Sequence, residues 1–206
     1  MKKILFLCIL FIGMISNLQS QEINFGTGFG TGAFYLVESN DSSVNLDYTR
    51  NISLYSEISY KKKGSYFGLK LKLQYLNSDI KGDDWTQFMS TIDGNISSFS
   101  SFLLLEHLNQ NKKWNFGYNF GLGYTKERLQ KYLHLTNTEN IIEKNYASLS
   151  LGGIIDFKLN QKLSLQLSPS LQWADPISSI KTSYNWDIAG EDLHFLVQFG
   201  INYRLN

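Results

Sequence analysis

Through most of the chain, bulky side chains alternate with small or polar ones. From Ile23 to Gly30 the odd positions carry Ile, Phe or Thr, and the even ones Asn or Gly. From Trp114 to Tyr124 the even positions are Trp, Phe, Tyr and Leu, and the odd ones Asn and Gly. A period of two builds a strand with two unlike faces, whereas a helix would scatter these rings around its circumference. Strands are therefore predicted at residues 22–37, 52–61, 66–77, 96–108, 114–125, 146–159, 162–173 and 192–205. In the third, Phe67, Leu69, Leu71, Leu73 and Tyr75 oppose Gly68, Lys70, Lys72 and Gln74. The fourth loses its alternation at Phe102-Leu103-Leu104-Leu105, which implies either two apolar faces or a bulge.

The connections sort by length. Short ones fall at residues 62–65, 109–113 and 160–161, and long polar ones at 38–51, 78–95, 126–145 and 174–191. Short and long connections in strict turn, with both chain ends on the short side, lay out an all-β, eight-stranded, antiparallel up-and-down transmembrane barrel. The stretch from Trp85 to Ile92, followed by Asp93-Gly94, also reads as an extra hairpin arm.

Alternation alone does not tell which face points out. A soluble, lipocalin-like periplasmic calyx is also an eight-stranded up-and-down barrel, with its apolar face turned inward. Side-chain volume separates the two. The bulky faces carry roughly forty large groups, and the interior of eight strands barely accommodates ordinary side chains. Those groups must face a second apolar phase, which is lipid. Gly26, Gly28, Gly30, Gly117, Gly121, Gly123, Gly152 and Gly200 lie on the opposite face, where a crowded lumen favours small residues. Tyr35, Tyr60, Tyr75, Trp114, Tyr124, Trp173 and Tyr203 fall near strand ends, as in the aromatic girdles of membrane barrels, although β-propensity also enriches such rings.

Composition narrows the setting. Met1 to Lys3 is basic, Ile4 to Ile15 is apolar, and the run turns polar to end on Ser20, the order of a secretory signal peptide. Residues 1–20 are read as that signal and 21–206 as one barrel domain. The single cysteine, Cys8, lies within the signal, so disulfides and thiolate metal sites are excluded from the mature chain. Lys plus Arg number 19 against 18 acidic residues, a balance that argues against nucleic acid as a partner.

The signal peptide, the Gly-aromatic strand Trp114–Tyr124 and the closing strand Phe195–Leu205 resemble the small outer-membrane β-barrel family, which includes OmpA-like transmembrane and porin-family domains. The resemblance implies a Gram-negative outer membrane with periplasmic termini and extracellular long loops. It also implies outer-membrane lipid, lipopolysaccharide and the barrel assembly machinery as partners. Leu205-Asn206 stands where that family usually ends on an aromatic residue.

Glu57, Lys70, Lys72, Asp156, Lys158 and Arg204 share the inward parity, and Glu106 joins them if the fourth strand keeps even positions inward. Charges in a narrow lumen must pair, so a salt-bridged network that fills the barrel is expected. His107, His134 and His194 lack metal-ligand spacing. His134, with Tyr132, Thr136, Glu139 and Glu143 nearby, is the candidate centre for a lipid-modifying enzyme. Asp79, Asp83, Asp84 and Asp93 match no calcium loop, and Trp85, Phe88, Met89 and Trp186 are aromatic or apolar loop residues suited to contact. No cofactor motif is present. The leading expectation is a non-enzymatic structural or surface-interaction barrel; a narrow pore, a lipid-modifying enzyme and the soluble calyx are the alternatives.

Overall fold

The computed structural model describes residues 21–33, 44–84, 90–109, 113–176 and 193–205. Their strands are β1 (Gln21–Ala33), β2 (Val44–Lys62), β3 (Phe67–Asp84), β4 (Ser90–Leu108), β5 (Trp114–Leu133), β6 (Thr138–Lys158), β7 (Leu163–Ala174) and β8 (Leu193–Arg204). Each pairs antiparallel with its sequence neighbour, and β8 pairs back onto β1, so the sheet closes. Closure leaves the lower ladder without a free edge, the condition for strands to cross lipid. Residues 1–20, read above as the signal, and Tyr35, Trp85, Phe88, Met89 and Trp186 lie outside the described residues.

The bulky stripe faces outward. Leu69, Leu71, Leu73 and Tyr75 of β3 are exposed, while Lys70, Lys72 and Gln74 between them are buried. The outward positions at 52–60, 67–75, 99–107, 114–124, 147–157, 163–173 and 193–203, with those of β1, carry no Asp, Glu, Lys or Arg. Trp114 to Tyr124 covers ten steps of strand, about 33 Å of chain and about 25 Å along the axis of a barrel with strands tilted near 40°. That is the height of a membrane barrel's apolar band.

Above the band the stripe changes face. In β3, Tyr75 points out, but Leu76 and Ile80 are buried inside, and Lys81 and Asp83 now point out. Leu76, Ile80, Ile96 and Leu196 form an interior core, with Tyr48 and Leu129 packed against it. In β2 a bulge makes the same change. Arg50 and Asn51 oppose Ser78 alone between the pairs Thr49↔Asp79 and Ile52↔Asn77, and Arg50 takes a φ of 53°. The extra residue turns Tyr48 inward although it shares its sequence parity with the outward Ile52 and Leu54. Below the exchange the outer face is apolar and the interior polar; above it, the outer face is polar and the interior holds an apolar core.

This exchange corrects three of the expected long loops. Residues 44–51, 78–84, 90–95 and nearly all of 126–145 are strand. Beyond the apolar band, β2 to β6 continue as an ordinary antiparallel sheet with one wet face and one apolar face. The expected loop at 126–145 is a hairpin closed at His134–Asn137, with Asn137 at a φ of 53°. Of the expected Trp85–Ile92 arm, residues 85–89 lie outside the described residues; Thr91, Ile92, Asp93 and Gly94 belong to β4 and pair with Asp83, Gly82, Lys81 and Ile80, so Asp93-Gly94 is strand and not a turn.

β4 runs without a bulge, its register unbroken on both sides. Both its faces are apolar at 102–105, with Leu103 and Leu105 exposed and Phe102 and Leu104 buried. The room comes from β5, where Gly123, Gly121 and Gly117 stand directly opposite Phe102, Leu104 and Leu108. A Cβ on Gly123 would overlap the Phe102 ring.

Candidate functional site: the filled lumen

The lumen is packed in layers that follow the register. At the short-turn end, Glu22 of β1 faces two cations, with its Oε2 3.6 Å from both Lys61 Nζ and Arg204 Nη2. One layer deeper, Lys70 Nζ lies 2.9 Å from Glu57 Oε1 and 2.6 Å from Glu106 Oε2. Lys70 is diagonal to both acids on the flanking strands, the arrangement that long side chains bridge across a pleat. Gln166 Nε2 donates to Ser168 Oγ at 2.7 Å and, at 3.4 Å, to Glu57 Oε1; its Oε1 accepts from Asn202. Asp156 accepts from Asn115 Nδ2 at 3.0 Å.

A glutamine cluster closes the middle. Gln74 and Gln172 exchange hydrogen bonds at 2.9 and 3.1 Å. Gln198 Nε2 donates to Gln74 Oε1 at 3.0 Å and Ser53 Oγ at 2.6 Å, and its Oε1 accepts from Lys72 Nζ. Every amide group of Gln74 and Gln198 that this ladder needs is used, which is what allows such groups to be buried. Lys72 Nζ also sits 4.9 Å over the Tyr55 ring. Tyr55 lies across the glycine seam of β1 and β8, where a Cβ on Gly200 would overlap its hydroxyl. Above this, Thr125 bridges Ser100 and Ser148 at 2.8 and 2.7 Å, and Tyr146 donates to Glu127 at 2.7 Å. The apolar core then begins.

All six expected lumen charges face the interior, and among the described residues they fall into separate groups. Lys70 and Glu57 share a centre with Glu106, and Arg204 belongs to the Glu22 cluster. Lys72 joins the glutamines, and Asp156 is held by Asn115. Lys158 lines a vestibule of about 980 Å³ that opens at the short-turn end and reaches in to Lys70 and Glu106. Glu22 and Lys61 were not among the expected charges, although their parity matches that of Gly26 and Glu57; they stand at strand ends, where a register is hardest to read.

The girdle positions fall into two tiers. Tyr60, Trp114 and Tyr203 stand at the short-turn end, with Trp114 and Phe157 ring centroids 4.6 Å apart. Tyr75, Tyr124 and Trp173 stand at the other, Tyr75 beside Phe99 and Trp173 beside Leu149.

The histidines do not converge. His107 stacks on Tyr118 on the outer surface, with centroids 5.0 Å apart, and His194 is buried in the lumen. His134 Nε2 lies 2.7 Å from Asp93 Oδ2 at the hairpin tip, both half exposed. Glu139 accepts from Gln130 and Glu143 faces Lys126 at 3.6 Å, so both acids near His134 have partners of their own. Among the described residues, no three His, Cys, Asp or Glu side chains group as metal ligands. Asp79 faces Arg50 at 3.4 Å.

No protein-family model matches the chain, and no curated protein matches it by sequence. Solved structures do. A major outer membrane protein from Thermus thermophilus aligns over 89% of this chain and 99% of its own, at 15% identity and a TM-score of 0.58. The outer membrane protein OprG from Pseudomonas aeruginosa aligns over 91% and 96%, at 12% identity and a TM-score of 0.52. At these identities the likeness is one of fold. The fold is the one these outer-membrane proteins share, a closed up-and-down barrel of eight antiparallel strands.

Proposed function

We propose that the protein is a non-conducting, non-enzymatic barrel of the bacterial outer membrane that holds a rigid sheet at the cell surface for interaction. The observation that carries this reading is the exchange of the apolar stripe from the outer to the inner face at Tyr75-Leu76. A change of surroundings from lipid to water accounts for one sheet that carries opposite polarities at its two levels. The two aromatic tiers suit the two membrane interfaces, and the short-turn end with both termini is assigned to the periplasm.

The glutamine cluster and the apolar core above it support closure, because a passing ion would have to break bonds that no water replaces. The upper sheet supports the surface role. β2 to β6 carry their strands beyond the apolar band, and there the sheet turns Lys81, Asp83, Lys126 and Glu143 outward or to its exposed rim. Planar-bilayer recording tests the first part. The refolded mature protein should give no stable conductance steps, and reproducible open levels would contradict closure. Labelling of intact cells tests the second: a cysteine at Lys131 or Lys144 should react with an impermeant maleimide, and one at Lys63 should react only after permeabilisation.

A further inference from the structure

The short-turn end sorts its charges by face. Lys62 continues the outward stripe of β2 one step beyond Tyr60, and Lys63 and Lys162 are exposed in the turns. Lys113 precedes Trp114, and its Nζ lies 5.0 Å over the ring of Phe157, which belongs to the outward stripe of β6. Among the described residues, the carboxylates at this end turn inward: Glu22 to Lys61 and Arg204, Glu106 to Lys70, and Asp156 to Asn115. The described turn residues 63–66, 109, 113 and 159–162 include no Asp or Glu. The opposite end differs, since Lys81, Lys126 and Lys144 stand among Asp79, Asp83, Glu139 and Glu143, and Lys126 is paired with Glu143 at 3.6 Å.

Resting on the membrane reading above, we propose that Lys62, Lys63, Lys113 and Lys162 form a collar that binds the phosphodiester headgroups of anionic glycerophospholipids. The collar stands just beyond Tyr60 and Trp114, where the apolar band ends and headgroups begin. Lysine stems lie along apolar surface and carry the ammonium outward, as Lys113 does over Phe157. With the described acids turned into the lumen, the annular lipid meets these cations. Attraction of this kind falls off within a Debye length and weakens with salt.

The test uses the mature barrel inserted in phosphatidylcholine vesicles containing a minority of phosphatidylglycerol, with spin-labelled forms of each lipid reporting motional restriction at the protein. Only protein that shows heat-modifiable gel migration is scored. The wild type should prefer phosphatidylglycerol roughly threefold or more at low salt, and the preference should shrink as salt rises. K62Q/K63Q/K113Q/K162Q should show none, and the fourfold arginine variant should keep it. Inserted wild type without a preference, or a glutamine variant that retains one, would overturn the collar while leaving the membrane reading intact. Loss of the preference on adding inorganic phosphate, at constant ionic strength, would assign the lysines to free phosphate instead and also overturn it. A wild type that never enters the vesicles would remove both.

Discussion

Lys70 of β3 and Glu106 of β4 lie diagonal to one another inside the barrel, with Nζ 2.6 Å from Oε2, and Glu57 approaches the same ammonium from β2 at 2.9 Å. One buried cation thus serves two buried carboxylates. Removing one partner of a buried pair leaves an uncompensated charge, at a cost of about 3–5 kcal/mol. Lys70→Met should therefore lower the urea midpoint of the vesicle-inserted barrel by that equivalent, followed by tryptophan fluorescence. Glu106→Gln, which leaves the Lys70–Glu57 pair whole, should cost clearly less. Lys70→Met combined with Glu57→Gln and Glu106→Gln should recover most of the loss; equal midpoints for Lys70→Met and wild type would show that the centre contributes nothing.

The seam between Tyr55 and Gly200 should behave as one packing unit. A side chain at Gly200 overlaps Tyr55, so Gly200→Val should destabilise by about 1–3 kcal/mol, the usual cost of overpacking. Tyr55→Ala should make Gly200→Val much better tolerated, and the double-mutant cycle should give a coupling above about 0.5 kcal/mol. Additive effects would mean that the ring does not occupy the glycine seat.

Lysine substitutions along the outer face of β3 should report what that face touches. Leu71→Lys, in the middle of the band, should cost about 2–4 kcal/mol, as expected for a cation facing the centre of a bilayer. Asp83→Lys, on the same outward parity above Tyr75, should stay within about 0.5 kcal/mol. Ile80→Lys, buried in the interior core above the band, should be severe again. A uniform response along the strand would contradict the exchange of faces.

The barrel itself was legible because an apolar outer face and a polar lumen impose a clean period of two over the band, from Trp114 to Tyr124 and from Phe67 to Tyr75. The upper sheet was not, for two physical reasons. In β3 the stripe crosses from one parity to the other at the adjacent pair Tyr75-Leu76, which reads as the end of a strand. In β2 the bulge at Arg50-Asn51 lets Tyr48 keep the sequence parity of Ile52 and Leu54 while facing the other side, so parity alone hides the change. The inward orientation of Glu57, Lys70, Lys72, Asp156, Lys158 and Arg204 followed from parity, but their partners did not. Pairing depends on diagonal neighbours, such as Glu57 and Glu106 about Lys70, and on strands as far apart in sequence as those of Lys72 and Gln198. The two apolar faces of β4 were explicable only beside the glycines of β5 that receive Phe102 and Leu104.

The chain's only cysteine is Cys8, within the segment read as the signal, so single cysteines placed along β3 of the mature protein can be spin-labelled one at a time. Accessibility to dissolved oxygen, which concentrates in lipid, and to a water-soluble nickel chelate should be measured at residues 67 to 83 in vesicles. Positions 69, 71 and 73 should favour oxygen, 70, 72 and 74 should be shielded from both, and 81 and 83 should favour the chelate. Chelate access at 69, 71 and 73 equal to that at 81 and 83 would mean that water, not lipid, surrounds the lower barrel, and would contradict the account.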